Sequence, residues 1–202
     1  MTIYIILATV IISLICFYNH NLHAKLIFNP YLVKHHKDWY RMVTSGFQHA
    51  DFLHLFVNMF VMLSFGRAVE NYYSQIFGIY SNWVFLLLYI SSIFAANLST
   101  LYKYQNTSSY NALGASGAVS AIVFTSILFN PFNKIYLYGI IGLPGILLGA
   151  IYLAYSYYMS KKQSDNINHE AHFYGAVYGV LFTLALKPKV INIFMYKIMH
   201  AF

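Results

Sequence analysis

The sequence predicts an all-α, polytopic membrane protein, a bundle of six transmembrane helices, and three observations carry that prediction. Charged residues make up only 8% of the chain and hydrophobic residues 59%, where a soluble domain carries about 25% charged residues. Five acidic residues in 202 cannot solvate a surface of this size, so most of it must face lipid. Six apolar stretches follow one another along the chain, and most connections between them are short, which favours antiparallel packing. A single membrane-embedded domain is expected over 1–202, with its core at about 39–187.

The first stretch, 2–18, has no basic residue ahead of it. Its exit, Asn19-His20-Asn21, offers no small-residue cleavage site, so the segment is expected to stay as an anchor. The connection 19–51 holds five of the nine histidines (His20, His23, His35, His36 and His49) together with Trp39, Tyr40 and Arg41. It is too short for a domain and too aromatic for a free linker, and is expected to lie partly in the membrane interface. The second stretch, 52–65, is interrupted by His54 and Asn58. The third to sixth are 83–101, 113–129, 135–159 and 171–186. A crossing takes about 20 residues, and flanking Tyr, Asn and Ser extend the shorter stretches into the headgroups. The tail from Lys187 alternates basic and apolar residues (Lys189, Ile191, Phe194, Lys197, Ile198, Phe202). That pattern predicts an interfacial segment over 188–202.

The net charge is +7, but the twelve basic residues are scattered through the connections and form only pairs such as Lys161-Lys162. They suit anchoring of helix ends to anionic headgroups; a nucleic acid partner is not expected. With a cytoplasmic amino terminus, seven Lys/Arg fall outside (Lys25, Lys34, Lys37, Arg41, Lys103, Lys161, Lys162) and five inside (Arg67, Lys134, Lys187, Lys189, Lys197). Charge therefore does not fix the orientation. The lone Cys16 excludes an intramolecular disulfide or a thiolate metal cluster.

Ionisable groups inside a span are costly and mark function by default. Three sites stand out: His54 with Asn58 in the second stretch, Ser116 in the fourth and His172 in the sixth. Each falls near the start of its helix, and even-numbered spans run in the same direction. All three therefore sit at similar depth below one membrane face. Ser116 lies within Gly114-Ala115-Ser116-Gly117-Ala118, and His172 is followed by Gly175 and Gly179. Small faces of this kind let membrane helices approach closely, which would bring hydroxyl and imidazole together.

A serine hydroxyl becomes a nucleophile when a positioned base takes its proton, and neutral imidazole is the usual base. Acyl transfer also needs donors where the oxyanion develops. The backbone N–H groups of Ser116 and Ala115 at a helix start, and the side chains of His54 and Asn58 at i and i+4, are candidates. None of Asp38, Asp51, Glu70, Asp165 and Glu170 lies in mid-span, which favours a Ser-His dyad over a triad.

These residues resemble the rhomboid family. His54-Leu55-Phe56-Val57-Asn58, preceded by His49, resembles its H-x-x-x-N element, and Gly114-Ala115-Ser116-Gly117 its G-x-S-G motif. Ala171-His172-Phe173-Tyr174-Gly175, continuing to Gly179, resembles the A-H-x-x-G-x-x-x-G of its last core helix. Tyr40-Arg41 with Thr44 is similar to the Trp-Arg element of its first loop, and Gly66-Arg67-Ala68-Val69-Glu70 to the segment closing its second helix. The resemblance implies a six-helix serine protease without a cofactor, cleaving single-span transmembrane substrates. Ser116 would be the nucleophile, His172 the base, and His54 and Asn58 the oxyanion partners. It further implies a cell-membrane location, a site open to the exterior, and a mobile fifth helix containing Gly142, Pro144 and Gly145. Family members often carry an aromatic residue four positions after the nucleophile, to stack on the histidine. Here that position is Ser120, and Tyr40 stands where tryptophan is usual.

Three rivals compete. A rhomboid-like scaffold that binds without cutting tends to lose the serine or histidine, and both are present. His169-Glu170-Ala171-His172 suggests the zinc motif H-E-x-x-H but is one residue short, and no metal is expected. A transporter would show an inverted repeat and intramembrane acids, and neither is evident.

Overall fold

The computed structural model describes residues 1–137, 140–162, 165 and 167–201. Helix α1 (Thr2–Tyr18) buries Thr2, Ile5, Thr9, Ser13 and Cys16, a three-to-four-residue spacing that forms one face. Tyr4, Leu7, Ile11 and Ile15 are exposed on the other. Apolar groups outside and hydroxyls inside is the reverse of a helix packed in water, and suits one solvated by lipid.

The first connection is folded rather than loose. It forms α2 (His20–Leu26), α3 (Pro30–His36), α4 (Arg41–Thr44) and a 3₁₀ turn at Ser45–Phe47. Asn19 and Asn29 cap α2 and α3 by accepting the Leu22 and Leu32 backbone N–H, as short polar side chains do at helix starts. The buried Arg41 donates to the carbonyls of Ala24 (2.7 Å) and Ile27 (3.0 Å) and pairs with Asp38 at 2.9 Å. An isolated β-bridge, Phe28 to Ala112, ties this region to the chain just before Ser116.

Helix α5 (Phe52–Phe77) starts at Asp51, whose carboxylate accepts the His54 N–H at 2.7 Å. It runs past the stretch expected at 52–65, so Gly66 to Glu70 lie within the helix and do not close it. Gly78, at φ +54°, ends it and leads through a 3₁₀ turn at Gly78–Tyr80 into α6 (Ser81–Tyr104). Helix α7 (Ser116–Phe129) lies against α5, α6 and the later helix α9 (His169–Leu186), and every residue in it except Ser116 and Val123 is buried.

The fifth stretch departs from expectation. The sequence pattern places residues 135–144 at the start of the fifth span, but Lys134–Leu137 (β1) pairs antiparallel with Ile141–Pro144 (β2), Lys134 opposite Pro144. Tyr138 and Gly139 lie outside the described residues. Gly142 and Pro144 oppose helix formation, while Ile135, Tyr136 and Ile141 suit a pleated ribbon. Helix α8 therefore begins at Gly145 and ends at Lys162, and neither Gly142 nor Pro144 belongs to it. Apart from this hairpin and the Phe28–Ala112 bridge, the regular structure among the described residues is helical.

Asn168 caps α9 (His169–Leu186) by accepting the Ala171 N–H. After Pro188 the chain turns by 113° into α10 (Val190–Met199); Phe202 lies outside the described residues. Among the described residues one helical run, Phe52–Tyr104, is by itself long and apolar enough to cross a bilayer. Helices α9 and α10 pass that test only together, and α1 and α7 are apolar but shorter.

Candidate active site

The first residue of α7 and the first turn of α9 meet. Ser116 Oγ and His172 Nε2 stand 2.7 Å apart, a full hydrogen bond. The approach depends on missing side chains. A Cβ at Gly175 would run into the carbonyl of Gly117, one at Gly179 into the carbonyl of Ala121, and one at Gly117 would come within 2.6 Å of Ala96 Cβ. With a side chain at any of these positions the helices would stand further apart. Gly114, Gly117, Gly175 and Gly179, singled out in the sequence for packing, all lie in or beside this seam.

The turn leading into Ser116 is held from the first connection. Gly114 has φ +119°, in the left-handed range that glycine tolerates. A Cβ there would also sit 2.8 Å from the His54 ring. Its N–H donates to the Ser45 carbonyl at 3.0 Å. The Ala115 N–H donates to His49 Nε2 at 3.3 Å, and His49 Nδ1 lies 3.0 Å from Ser13 Oγ. Because the Ser13 hydroxyl donates to the Phe47 carbonyl, it accepts from Nδ1–H, which leaves Nε2 as the acceptor. His49 is fully buried, and burial, with His54 beside it, pushes its pKa down to about 3 despite the opposing pull of Asp51. Its neutral form matches these bonds.

This arrangement corrects the oxyanion assignment at one point. The Ala115 N–H, expected to face a developing oxyanion, is occupied by His49. The Ser116 N–H has no partner among the described residues. His54 lines the adjacent cavity, its ring edge-on to His49 at 4.9 Å. Asn58 lines the cavity too, but its amide donates at 2.9 Å to the His54 backbone carbonyl on its own helix.

Ser116, His172, His54 and Asn58 share a cavity of about 840 Å³ bounded by α5, α7 and α8. Such a volume suits a small ligand or a short length of peptide. Its walls are largely apolar, with Val57, Val61, Val119, Val123 and Leu148 contributing. On the α8 side Tyr152 bonds Ser120 through their hydroxyls at 2.7 Å, and its ring lies 12° from parallel with that of His172, centroids 6.2 Å apart.

Each of the five acids has a partner elsewhere. Asp38 pairs with Arg41, Asp51 caps α5, Glu70 pairs with the Met1 amine, Asp165 bonds His169 and Glu170 bonds Lys103 at 2.7 Å. No carboxylate among the described residues bonds His172. His169 and His172 aim their Nε2 atoms at different partners, Asp165 and Ser116. Neither Ser13 nor Tyr152 is marked in the sequence. A serine in an apolar helix and one of twenty tyrosines carry no local signature, and only tertiary contact distinguishes them.

The rhomboid domain family model matches residues 36–189, more than half of the chain. Among curated proteins the chain is similar to "Rhomboid-like protein 11, chloroplastic" of Arabidopsis thaliana, 30% identical over 184 residues, 84% of this chain and 60% of that protein. It is also similar to "RHOMBOID-like protein 12, mitochondrial" of the same plant, 29% identical over 143 residues, 67% of this chain and 43% of that protein. The chain thus spans about half the length of the curated relatives it matches.

Proposed function

Because the chain belongs to the rhomboid family, whose members are integral to membranes, we propose that it is an intramembrane serine endopeptidase working through a Ser116–His172 dyad. The observation that carries this reading is the 2.7 Å contact between Ser116 Oγ and His172 Nε2 at the head of a largely apolar cavity. His172 Nε2 takes the Ser116 proton as Oγ bonds the scissile carbonyl carbon. The carbonyl oxygen gains the negative charge and is met by the Ser116 N–H, with the His54 ring as a second donor from the cavity wall. Collapse breaks the C–N bond, and His172 returns its proton to the leaving amine. Water then hydrolyses the acyl-serine by the same two steps.

The substrates proposed are single-span membrane proteins whose helix opens near the cut. Six crossings are proposed: α1, α5, α6, α7, α8 and α9. Helix α7 has 14 residues, which at about 1.5 Å each reach roughly 21 Å, short of a hydrocarbon core of about 30 Å. Its first residue, Ser116, would therefore lie below the membrane face, within reach of a transmembrane peptide. The proposed location is the cell membrane, with the cavity opening to the exterior. The organelle names of the two plant relatives make mitochondrial and chloroplast membranes the competing outcome of fractionation.

The test is cleavage of a panel of single-span substrates in liposomes by wild type, Ser116→Ala and His172→Ala, alongside labelling by a serine-reactive fluorophosphonate. Cleavage and labelling by the wild type, lost in Ser116→Ala, are expected. A folded wild type that neither labels nor cuts would make the chain a membrane-protein-binding scaffold instead.

A further inference from the structure

We propose that Tyr152 is a positioning residue for His172, supplying from α8 the aromatic face that Ser120 cannot supply from α7. The inference rests on the protease assignment and deepens it. Ser120 lies one helical turn from Ser116 on the same side of α7, and it is buried. Its hydroxyl holds the phenol oxygen of Tyr152 at 2.7 Å, which fixes the height of the ring against α7. Held there, the Tyr152 ring is nearly parallel to the imidazole, with an interplanar angle of 12° and centroids 6.2 Å apart. That separation is within the offset-stacking range of about 4.5–7 Å.

His172 has three restraints around it. Ser116 engages Nε2, the His169 ring stands edge-on at 5.8 Å, and the Tyr152 ring lies nearly parallel at 6.2 Å. Only the last comes from α8. A parallel neighbour limits rotation of the imidazole about its Cβ–Cγ bond and so keeps Nε2 pointed at Oγ. Movement of α8 away from α7 would break the Ser120–Tyr152 bond and the stack together. The orientation of the base is thereby linked to the helix that walls the cavity.

The experiment compares wild type, Tyr152→Phe and Tyr152→Leu in liposomes, measuring kcat and KM on a single-span substrate and the rate of fluorophosphonate labelling of Ser116. Thermal melting checks folding, and Tyr152→Met takes the place of the leucine variant if that one does not fold. Tyr152→Phe keeps the ring and is expected within about threefold of wild type in kcat. Tyr152→Leu is expected to lose kcat by about three- to tenfold, with KM within twofold and labelling slowed in parallel. Three results would each overturn the inference: unchanged kcat in Tyr152→Leu, a loss confined to KM, or a phenylalanine variant as impaired as the leucine one. A wild type that is not labelled at Ser116 would remove the protease assignment and this inference with it. A labelled, active wild type beside an unaffected Tyr152→Leu removes the inference alone.

Discussion

If the proposed protease activity holds, replacing Gly175 with alanine should cost far more of it than one methyl group suggests. The new Cβ would stand 2.8 Å from the Gly117 carbonyl carbon and 3.0 Å from its Cα, with the carbonyl oxygen closer still. Comfortable carbon–carbon contact begins at about 3.5 Å, so the carbon alone demands a shift of roughly 0.7 Å and the oxygen raises it to about 1 Å. That shift opens the seam between α7 and α9 next to the Ser116–His172 bond, which would lengthen from 2.7 Å to beyond hydrogen-bonding reach. A misplacement of about 1 Å at reacting groups costs about 10²-fold in rate, or about 2.7 kcal/mol of transition-state stabilisation. Overpacking should also remove about 1–3 kcal/mol of stability. The control is Gly149→Ala on α8, whose Cβ meets the flexible Ile127 Cδ1 at 3.1 Å and the Phe124 ring at 3.4 Å. It should change kcat/KM by less than about threefold, since those side chains can yield by a few tenths of an ångström. Measuring kcat/KM in liposomes for both, with melting curves, decides the matter. Full activity in Gly175→Ala, or an equal loss in both, would refute a seam built on glycine.

Other outcomes follow from the same geometry. Ser116→Ala and His172→Ala should each abolish cleavage, and the double variant should be no worse than either, because residues that act as one unit do not add; kinetics of all three check it. His54→Ala should lower kcat by about 10²–10³-fold if its ring meets the oxyanion. Asn58→Ala should lower it less, because its amide is already bonded to the His54 carbonyl, and a larger loss in Asn58→Ala would reverse the ranking. His49 is held neutral in the fold, its pKa lowered from 6.5 to about 3. The unfolded chain binds this proton first as pH falls, so stability should decline from pH 6.5 towards 3. The slope approaches about 1.4 kcal/mol per pH unit. Denaturant unfolding of wild type and His49→Asn across that range should show a shallower slope in the variant, and equal slopes would remove His49 as the cause.

The membrane class and the meeting of Ser116 with His172 were legible because both depend on local signals. Scarce charge identifies the solvent, and small residues beside Ser116 and His172 mark where helices close. The fifth stretch misled because apolar composition does not distinguish strand from helix over so few residues. Only Gly142 and Pro144 hint at the hairpin, whereas the resemblance places both in a helix. The engagement of the Ala115 N–H is invisible in the sequence for a different reason. A free donor at a helix start is a local expectation, whereas its capture by His49 depends on a bond to Ser13 from another helix. Tyr152 was hidden in the same way, since its partners lie 32 and 20 positions along the chain.

The bridge from Phe28 to Ala112, with the Asn29 amide bonded to the Ser108 carbonyl at 2.9 Å and the Gly114 N–H to Ser45, sews the amino-terminal quarter onto the stem of the turn that carries Ser116. Loosening either partner slackens the other. Heating that frays residues 28–45 should therefore silence the serine before the large helices melt, so loss of turnover would precede loss of helicity on a temperature ramp.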